Sequence, residues 1–520
     1  MNDLSYILIA IILISLIFSY LSMINTKNSL ETVKDMGIGY NLGNTFDSYS
    51  YDLDGISTPE EQITLNGNSL PTKNMIKKIK KYGFKTIRFP VTWMHFIDNE
   101  GNINSDWLLL VKGVIDLIIK QELYCILNIY NDGYYGNWLS LGIEVKDKYI
   151  NLWTQIANEF KEYNHNLIFE SMNEVYFSDP IEYLYDFNLL LNLNQAFVDT
   201  IRNSGGNNKK RLLIVAGASD ELDMTCSSDY KIPIDPYNKL AVSLHYFVPS
   251  QFTTDLYFEP YTWIDDYGNI YNYKPTLSWG NQDEYFQMIT DFEMMKNTFA
   301  SKGIPVIISE VGVLTEEKKK LESIREFLYM VFSISSDFDG IMCCLWDTSN
   351  KEFGDMNYYD RENDKWYDEK LKENFIQISR GKYIKPKDFY FKTHFETVST
   401  PYFEDAFLMK IGSRKAMKIM LNVKLTGVLF IDLDIVIFSY DAIGGFFEIN
   451  FEKSNGKKQY DGTYLFTIDV SKVKCYEYLQ VIKYYGNQFI SLNNLTVEFE
   501  ESFQSIDYKS YKAAISNYIY

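Results

Sequence analysis

A chain of 520 residues is longer than one ordinary compact unit, so one large and one small domain are expected. Hydrophobic residues make up 46% and aromatic residues 16%, enough for a sizeable core, which excludes a disordered chain. The net charge of −19 has the wrong sign for a phosphate backbone and sets nucleic acid aside; it fits a soluble enzyme on a neutral polymer as well as a plain acidic surface.

The first feature along the chain is Tyr6–Met23, apolar almost throughout, with Asp3 before it and no Lys or Arg. Its length suits a short membrane span or a generous signal peptide. Residues 1–24 are therefore read as a signal peptide or signal anchor, and the protein as secreted or held at the extracellular surface by membrane anchoring.

From about Lys34 to Ile378, short apolar runs alternate with longer amphipathic ones. Strands are predicted at Ile38–Leu42, Thr86–Val91, Tyr124–Ile129, Leu167–Met172, Leu212–Ala216, Leu240–His245, Val306–Ser309 and Ile341–Trp346. Helices are predicted at Lys73–Tyr82, Leu108–Gln121, Val145–Tyr163, Leu189–Ser204, Tyr285–Ser301 and Leu321–Ser335. Strands that are apolar on both faces and separated by helices are those of a parallel sheet covered on both sides. Eight of them predict an α/β fold, a (β/α)8 TIM barrel over residues 34–382. No GxGxxG follows any strand, which argues against an open dinucleotide-binding sheet. Beyond Arg380 the pattern changes to short strand-like runs broken by turns such as Ser454-Asn455-Gly456. Residues 383–520 are read as an all-β, sandwich-like accessory domain.

The five cysteines are irregularly spaced, and with only 4 histidines no metal site or disulfide framework is expected. In a barrel of this kind the active site is built from the C-terminal ends of the strands. The polar residues that close these strands are Arg88, Asn173, Glu174, His245, Glu310 and Trp346. Retaining glycoside hydrolysis needs two carboxyl groups about 5–5.5 Å apart, one a nucleophile and one a proton donor. Glu174 and Glu310, closing the fourth and seventh strands, can meet across one barrel mouth. Trp93, Tyr134, Tyr135, Trp138, Trp263 and Trp279 could stack on sugar rings around it, though for any one of them loop packing is the better single account.

The strings MGIGYNLGNTFD (36–47), GFKTIRFPVTW (83–93), LIFESMNEV (167–175), VSLHYF (242–247) and IPVIISEVG (304–312) resemble, in order, the signatures of glycoside hydrolase family 5, the cellulase family. The resemblance implies a retaining endo-β-1,4-glucanase acting on cellulose or a related β-glucan, without a cofactor. By the same resemblance Glu310 is the nucleophile and Glu174 the acid/base. Asn173 would bind the sugar 2-hydroxyl, Arg88 would orient Glu310 and hold it ionised, His245 would sit beside Glu174, and Trp346 would lie under the sugar. Tyr130, Asn131 and Tyr246 are further substrate-binding candidates.

The chain departs from the family pattern in two places. A His-His pair is usual where this chain has Tyr130-Asn131, and the tyrosine of a His-x-Tyr motif is replaced by Phe247, which has no hydroxyl to offer the nucleophile. A second reading stays open on those grounds, a catalytically impaired relative that binds glycan or serves as a surface or assembly component.

Overall fold

The computed structural model describes residues 27–48, 56, 58–130, 143–175, 183–255, 261–264, 270–273, 276–316, 318–349, 355–392, 395–398, 406–410, 416–425, 430–439, 442–452, 457–458, 464–469, 478–483, 490–499, 504–506 and 508–520. All eight expected barrel strands are present: β1 (Gly39–Asn41), β2 (Thr86–Phe89), β3 (Tyr124–Asn128), β4 (Leu167–Glu170), β5 (Leu213–Ala216), β6 (Leu240–His245), β7 (Val306–Val311) and β8 (Ile341–Leu345). They close into a barrel in the order β1-β8-β7-β6-β5-β4-β3-β2, every pairing parallel.

Around it run α1 (Ser29–Met36), α2 (Lys73–Lys81), α3 (Ser105–Ile119), α4 (Ile143–Phe160), α5 (Tyr183–Asn203), α7 (Leu321–Asp337) and α8 (Glu369–Ser379); α6 (Gln282–Thr298) lies between α5 and α7 in chain order. Their sequences show why. In α2 the buried positions are Met75, Ile76 and Ile79, one stripe at helical spacing, with lysines elsewhere. Helix α3 begins where the Asn104 side chain accepts from the backbone of Asp106 and Trp107, satisfying donors that have no partner inside the helix. Helix α7 is buried on every side from Ser323 to Ser335, unlike the other wall helices.

Two of these helices had no sequence expectation. Helix α1 starts from a capping box in which Asn28 and Glu31 each accept the other's backbone N–H at 2.8 Å. Its Val33 and Met36 join Ile126, Ile168, Ile214, Ala241, Ile307 and Cys344 in the apolar plug at the N-terminal end of the barrel. Strand β1 can enter there only as glycine, because a Cβ on Gly39 would lie 2.3 Å from the Cys344 sulfur. The second is α8, capped by Asp368.

Two residues above the plug, the inward positions turn polar. Ile126 is followed by Asn128 and Ile168 by Glu170, with Arg88 opposite Ile126 on β2. The barrel interior is thus apolar at its floor and ionic at its C-terminal mouth, as the period of two along a strand dictates.

The chain divides into two compact units, Met1–Gly280 with Met295–Tyr383 and Tyr518–Tyr520, and Asn281–Met294 with Ile384–Asn517. The second holds one antiparallel sheet ordered Phe395–Val398, Ile490–Phe499, Ala416–Leu425, Tyr464–Asp469, Lys457–Lys458. Another is ordered Ala406–Lys410, Tyr478–Lys483, Phe430–Ser439, Ala442–Glu452. A helix at Tyr508–Ile519 follows them, so the C-terminal region is not all-β as expected.

Membrane anchoring is corrected. Among the described residues no helix is long and apolar enough to cross a membrane. Even α5, at 21 residues, carries Asp186, Asp199 and Arg202. The expected anchorage at the extracellular surface goes with it; Tyr6–Met23, where that expectation began, lies outside the described residues.

Candidate active site

The centre of the site is Arg88, wholly buried and donating four hydrogen bonds. Nε reaches Glu170 Oε2 at 2.7 Å, Nη1 reaches Glu310 Oε1 at 2.7 Å and Asn41 Oδ1 at 3.1 Å, and Nη2 reaches Asn173 Oδ1 at 2.6 Å. A planar guanidinium is the one side chain that can hold two carboxylates and two amides in a fixed fork. Burial alone would make Arg88 easier to deprotonate, but Glu170 and Glu310 outweigh it and keep the cation charged.

Glu310 reaches the mouth through a bulge. Strand β7 pairs Ile308 with both neighbours, then slips by one residue, so that His245 faces Glu310 on one side and Leu345 faces Val311 on the other. Such a bulge re-aims the side chain that follows it. The freed Ser309 carbonyl accepts from Asn41 Nδ2 at 2.9 Å. Glu174 follows β4 with φ 43, a left-handed conformation unusual for a side-chain-bearing residue and a form of strain common at functional sites. Asp220 holds it there, accepting the Glu174 N–H at 2.6 Å.

His245 bridges the two glutamates. Its Nδ1 lies 3.0 Å from Glu174 Oε1 and its Nε2 3.7 Å from Glu310 Oε1, with Asp220 Oδ2 at 3.9 Å. Burial would lower the imidazole pKa, but Glu310, Asp220 and Glu174 together push it up to about 9. That favours the imidazolium at neutral pH, with Nδ1 in hydrogen-bond contact with Glu174 and Nε2 buried with no acceptor within hydrogen-bond distance among the described residues. Glu310 behaves differently from the expectation that Arg88 simply holds it ionised. Burial raises its pKa to about 7 despite the downward pull of His245 and Arg88. Glu174, by contrast, has a side chain 36% exposed where Glu310 has 4%. One carboxylate is open to the outside of the cleft and the other is sealed inside it.

Carboxylate oxygens of Glu174 and Glu310 and a His245 nitrogen all lie within 4.8 Å of one another. Three such groups could share a cation. Here Arg88 and the His245 imidazolium already supply the positive charge, so a metal ion would compete with two built-in cations.

Of the other expected residues, Asn173 is in place through Arg88, and Trp346, half-buried, stacks on Tyr130 with ring centroids 5.8 Å apart and planes within 6°. Tyr246 is not brought to the mouth. Its ring lies parallel to Phe327 of α7, in the layer between barrel and helices, because it alternates with inward-facing His245. Asn131, Tyr134, Tyr135 and Trp138 lie outside the described residues. Trp93 and Trp279 are core residues, the first donating from Nε1 to the Asn128 carbonyl at 3.0 Å and the second packed edge-on against Phe327. Sequence reasoning passed over Asn41, Asn128, Glu170 and Asp220. Glu170 carried a signal, since an acid in the run Leu167–Glu170, in step with Ile168, must point into the barrel and find a cation there. Asp220 had none.

Two carboxyl groups facing each other at the C-terminal mouth of a parallel barrel are what retaining glycoside hydrolysis requires. Residues 43–352 match the family model "Cellulase (glycosyl hydrolase family 5)". The chain is 32% identical over 366 residues to Endoglucanase A of Clostridium longisporum, covering 68% of this chain and 66% of that protein. It is 33% identical to Endoglucanase A of Paenibacillus barcinonensis, covering 54% and 72% respectively. Among solved structures, a GH5-4 broad specificity endoglucanase from an uncultured bovine rumen ciliate shares 54% identity. It superposes with a TM-score of 0.65 over 68% of this chain and 99% of that one. A GH5 lichenase from Caldicellulosiruptor sp. F32 superposes with a TM-score of 0.60 at 30% identity, over 68% and 96%. The chain belongs to glycoside hydrolase family 5 and is a glycoside hydrolase.

Proposed function

We propose that this protein is a retaining endo-β-1,4-glucanase in which Glu310 is the nucleophile and Glu174 the acid/base. The observation that carries the assignment is the approach of the two carboxylates to within 4.8 Å, the close spacing that leaves no room for an intervening water. Ionised Glu310 attacks the anomeric carbon while protonated Glu174 gives its proton to the departing glycosidic oxygen, and a covalent glycosyl ester forms on Glu310. Glu174, now a carboxylate, takes a proton from water, whose oxygen displaces Glu310 and restores the starting configuration. His245 donates through Nδ1 to Glu174 Oε1, which leaves Oε2 to carry the transferable proton. Because Arg88 can only donate, Asn173 presents Oδ1 to it, and its Nδ2 is the group left for the sugar 2-hydroxyl.

The endoglucanase and lichenase names of the relatives support a β-1,4-glucan or mixed-linkage glucan as substrate. The glycan-binding alternative rests on Phe247 and Tyr130 alone, whereas the ion pairs linking Arg88, Glu170, Glu310, Glu174 and His245 form without either residue. A 2-fluoro activated cellobioside should leave a covalent sugar on Glu310, read by peptide mass spectrometry. Labelling at another residue, or inversion during turnover, overturns the assignment.

The catalytic domain is assigned to residues 34–382 and a sandwich-like accessory domain to residues 383–520. The five- and four-stranded antiparallel sheets support the latter. Truncation after Lys382 should weaken retention on insoluble cellulose and spare turnover of a small soluble substrate; equal retention refutes a binding role.

A further inference from the structure

Trp346 is the one aromatic side chain among the sequence candidates that the described residues leave half-open at the mouth, and its ring plane is fixed from two sides. On one side is Gly43. A Cβ there would lie 3.2 Å from Trp346 Cζ2, 3.3 Å from Cη2 and 2.9 Å from the Asp347 carbonyl, so the indole edge rests on bare backbone. On the other side is Tyr130, 8% exposed, its N–H donated to the Val91 carbonyl at 2.8 Å. Its ring runs parallel to the indole within 6°, in the offset arrangement that aromatic pairs favour. The Arg88 guanidinium carbon lies 5.8 Å from the Tyr130 ring centroid, so the same ring also borders the cation that holds Glu310.

We propose that Tyr130 is a positioning residue that acts through Trp346, its phenol ring holding the indole in the plane that receives a glucosyl ring. This deepens the glucanase reading and rests on it. A sugar stacked on an indole gains from contact across a whole face, so a platform free to turn about its side-chain torsions loses affinity before any contact is made. What Tyr130 supplies is then its ring rather than its hydroxyl. An imidazole at this position would offer a hydrogen bond but a smaller surface to brace against, so the departure from the family's His-His pair is a change of device, from polar donor to aromatic brace.

The test is calorimetric titration of cellotetraose into the full-length Glu310→Gln protein, where binding is read without turnover. In that background Tyr130→Phe should bind within about twofold of its parent, and Tyr130→Ala about 2- to 12-fold more weakly, the range spanned by aromatic pair energies. Tyr130→His should fall between them. Adding Tyr130→Ala to Trp346→Ala should cost nothing further, because the brace has nothing left to hold. The proposal is overturned if Tyr130→Phe is as weak as Tyr130→Ala, which would make the hydroxyl a direct sugar contact. It is equally overturned if the alanine loss persists in full without Trp346, or if it is absent. Should Tyr130→Ala fail to fold, Phe and His carry the same comparison. If the Glu310→Gln parent binds no cello-oligosaccharide at all, the glucan reading falls first and the platform with it.

Discussion

Arg88→Lys keeps the charge and removes the fork, and so separates the two. Lysine carries three donors on one nitrogen and cannot span Glu170, Glu310 and Asn173, which the guanidinium reaches from three different nitrogens at 2.7, 2.7 and 2.6 Å. At least two charge-assisted hydrogen bonds are lost, roughly 1.5–3 kcal/mol each, in a place no water reaches. The variant should therefore be less stable by about 3–6 kcal/mol in a urea melt. Its kcat/KM on a soluble cellulose derivative should fall by about 10²–10³, the usual cost of one misplaced active-site contact. The sign of the pH effect follows from the same contact. Burial has already raised Glu310 to about 7 while Arg88 pulls it down. Weakening that pull raises it further, so the acid limb of the kcat/KM profile should move to higher pH. A variant within about threefold of wild type, its acid limb unmoved, would refute the view that fork geometry rather than charge holds the nucleophile.

Phe247→Tyr should raise turnover, by less than the ~10²–10³ of a perfectly aimed donor, because its ring meets His245 edge-on and the new hydroxyl must compete with that imidazolium; an unchanged or lower kcat refutes it. Gly43→Ala should weaken cello-oligosaccharide binding in the Glu310→Gln background, since its methyl meets the Asp347 carbonyl at 2.9 Å and forces the indole to move; unchanged affinity refutes it. Stability should decline as pH rises from about 4 to 7. Burial raises Asp47, Asp220 and Asp347 to about 6 and Glu310 to about 7, so the stability they contribute is fully present below their unfolded values, near 4, and is lost as pH passes through the folded ones. A melting temperature that climbs steadily from pH 5 to 7.5 would contradict this.

The barrel was legible in the sequence because doubly covered parallel strands must be apolar on both faces, and eight such runs with helical text between them leave few other folds. Arg88, Glu174, His245 and Glu310 could be read because each is a polar residue closing such a run. The helix α1 could not be read as the barrel's floor, for eight residues with a weak apolar stripe gain their role only when Val33 and Met36 find a plug to join. Nor could Tyr246 be told from His245, since which of two neighbours faces inward depends on the register of the whole strand. Asp220 and Glu170 act at distances of 46 and 82 residues from the groups they hold, and only closure of the barrel brings them there. The pKa of Glu310 is the sharpest case. Residue types alone set an arginine beside a carboxylate and so a lowered value, but burial, which belongs to the folded barrel and not to the string of residues, reverses the sign.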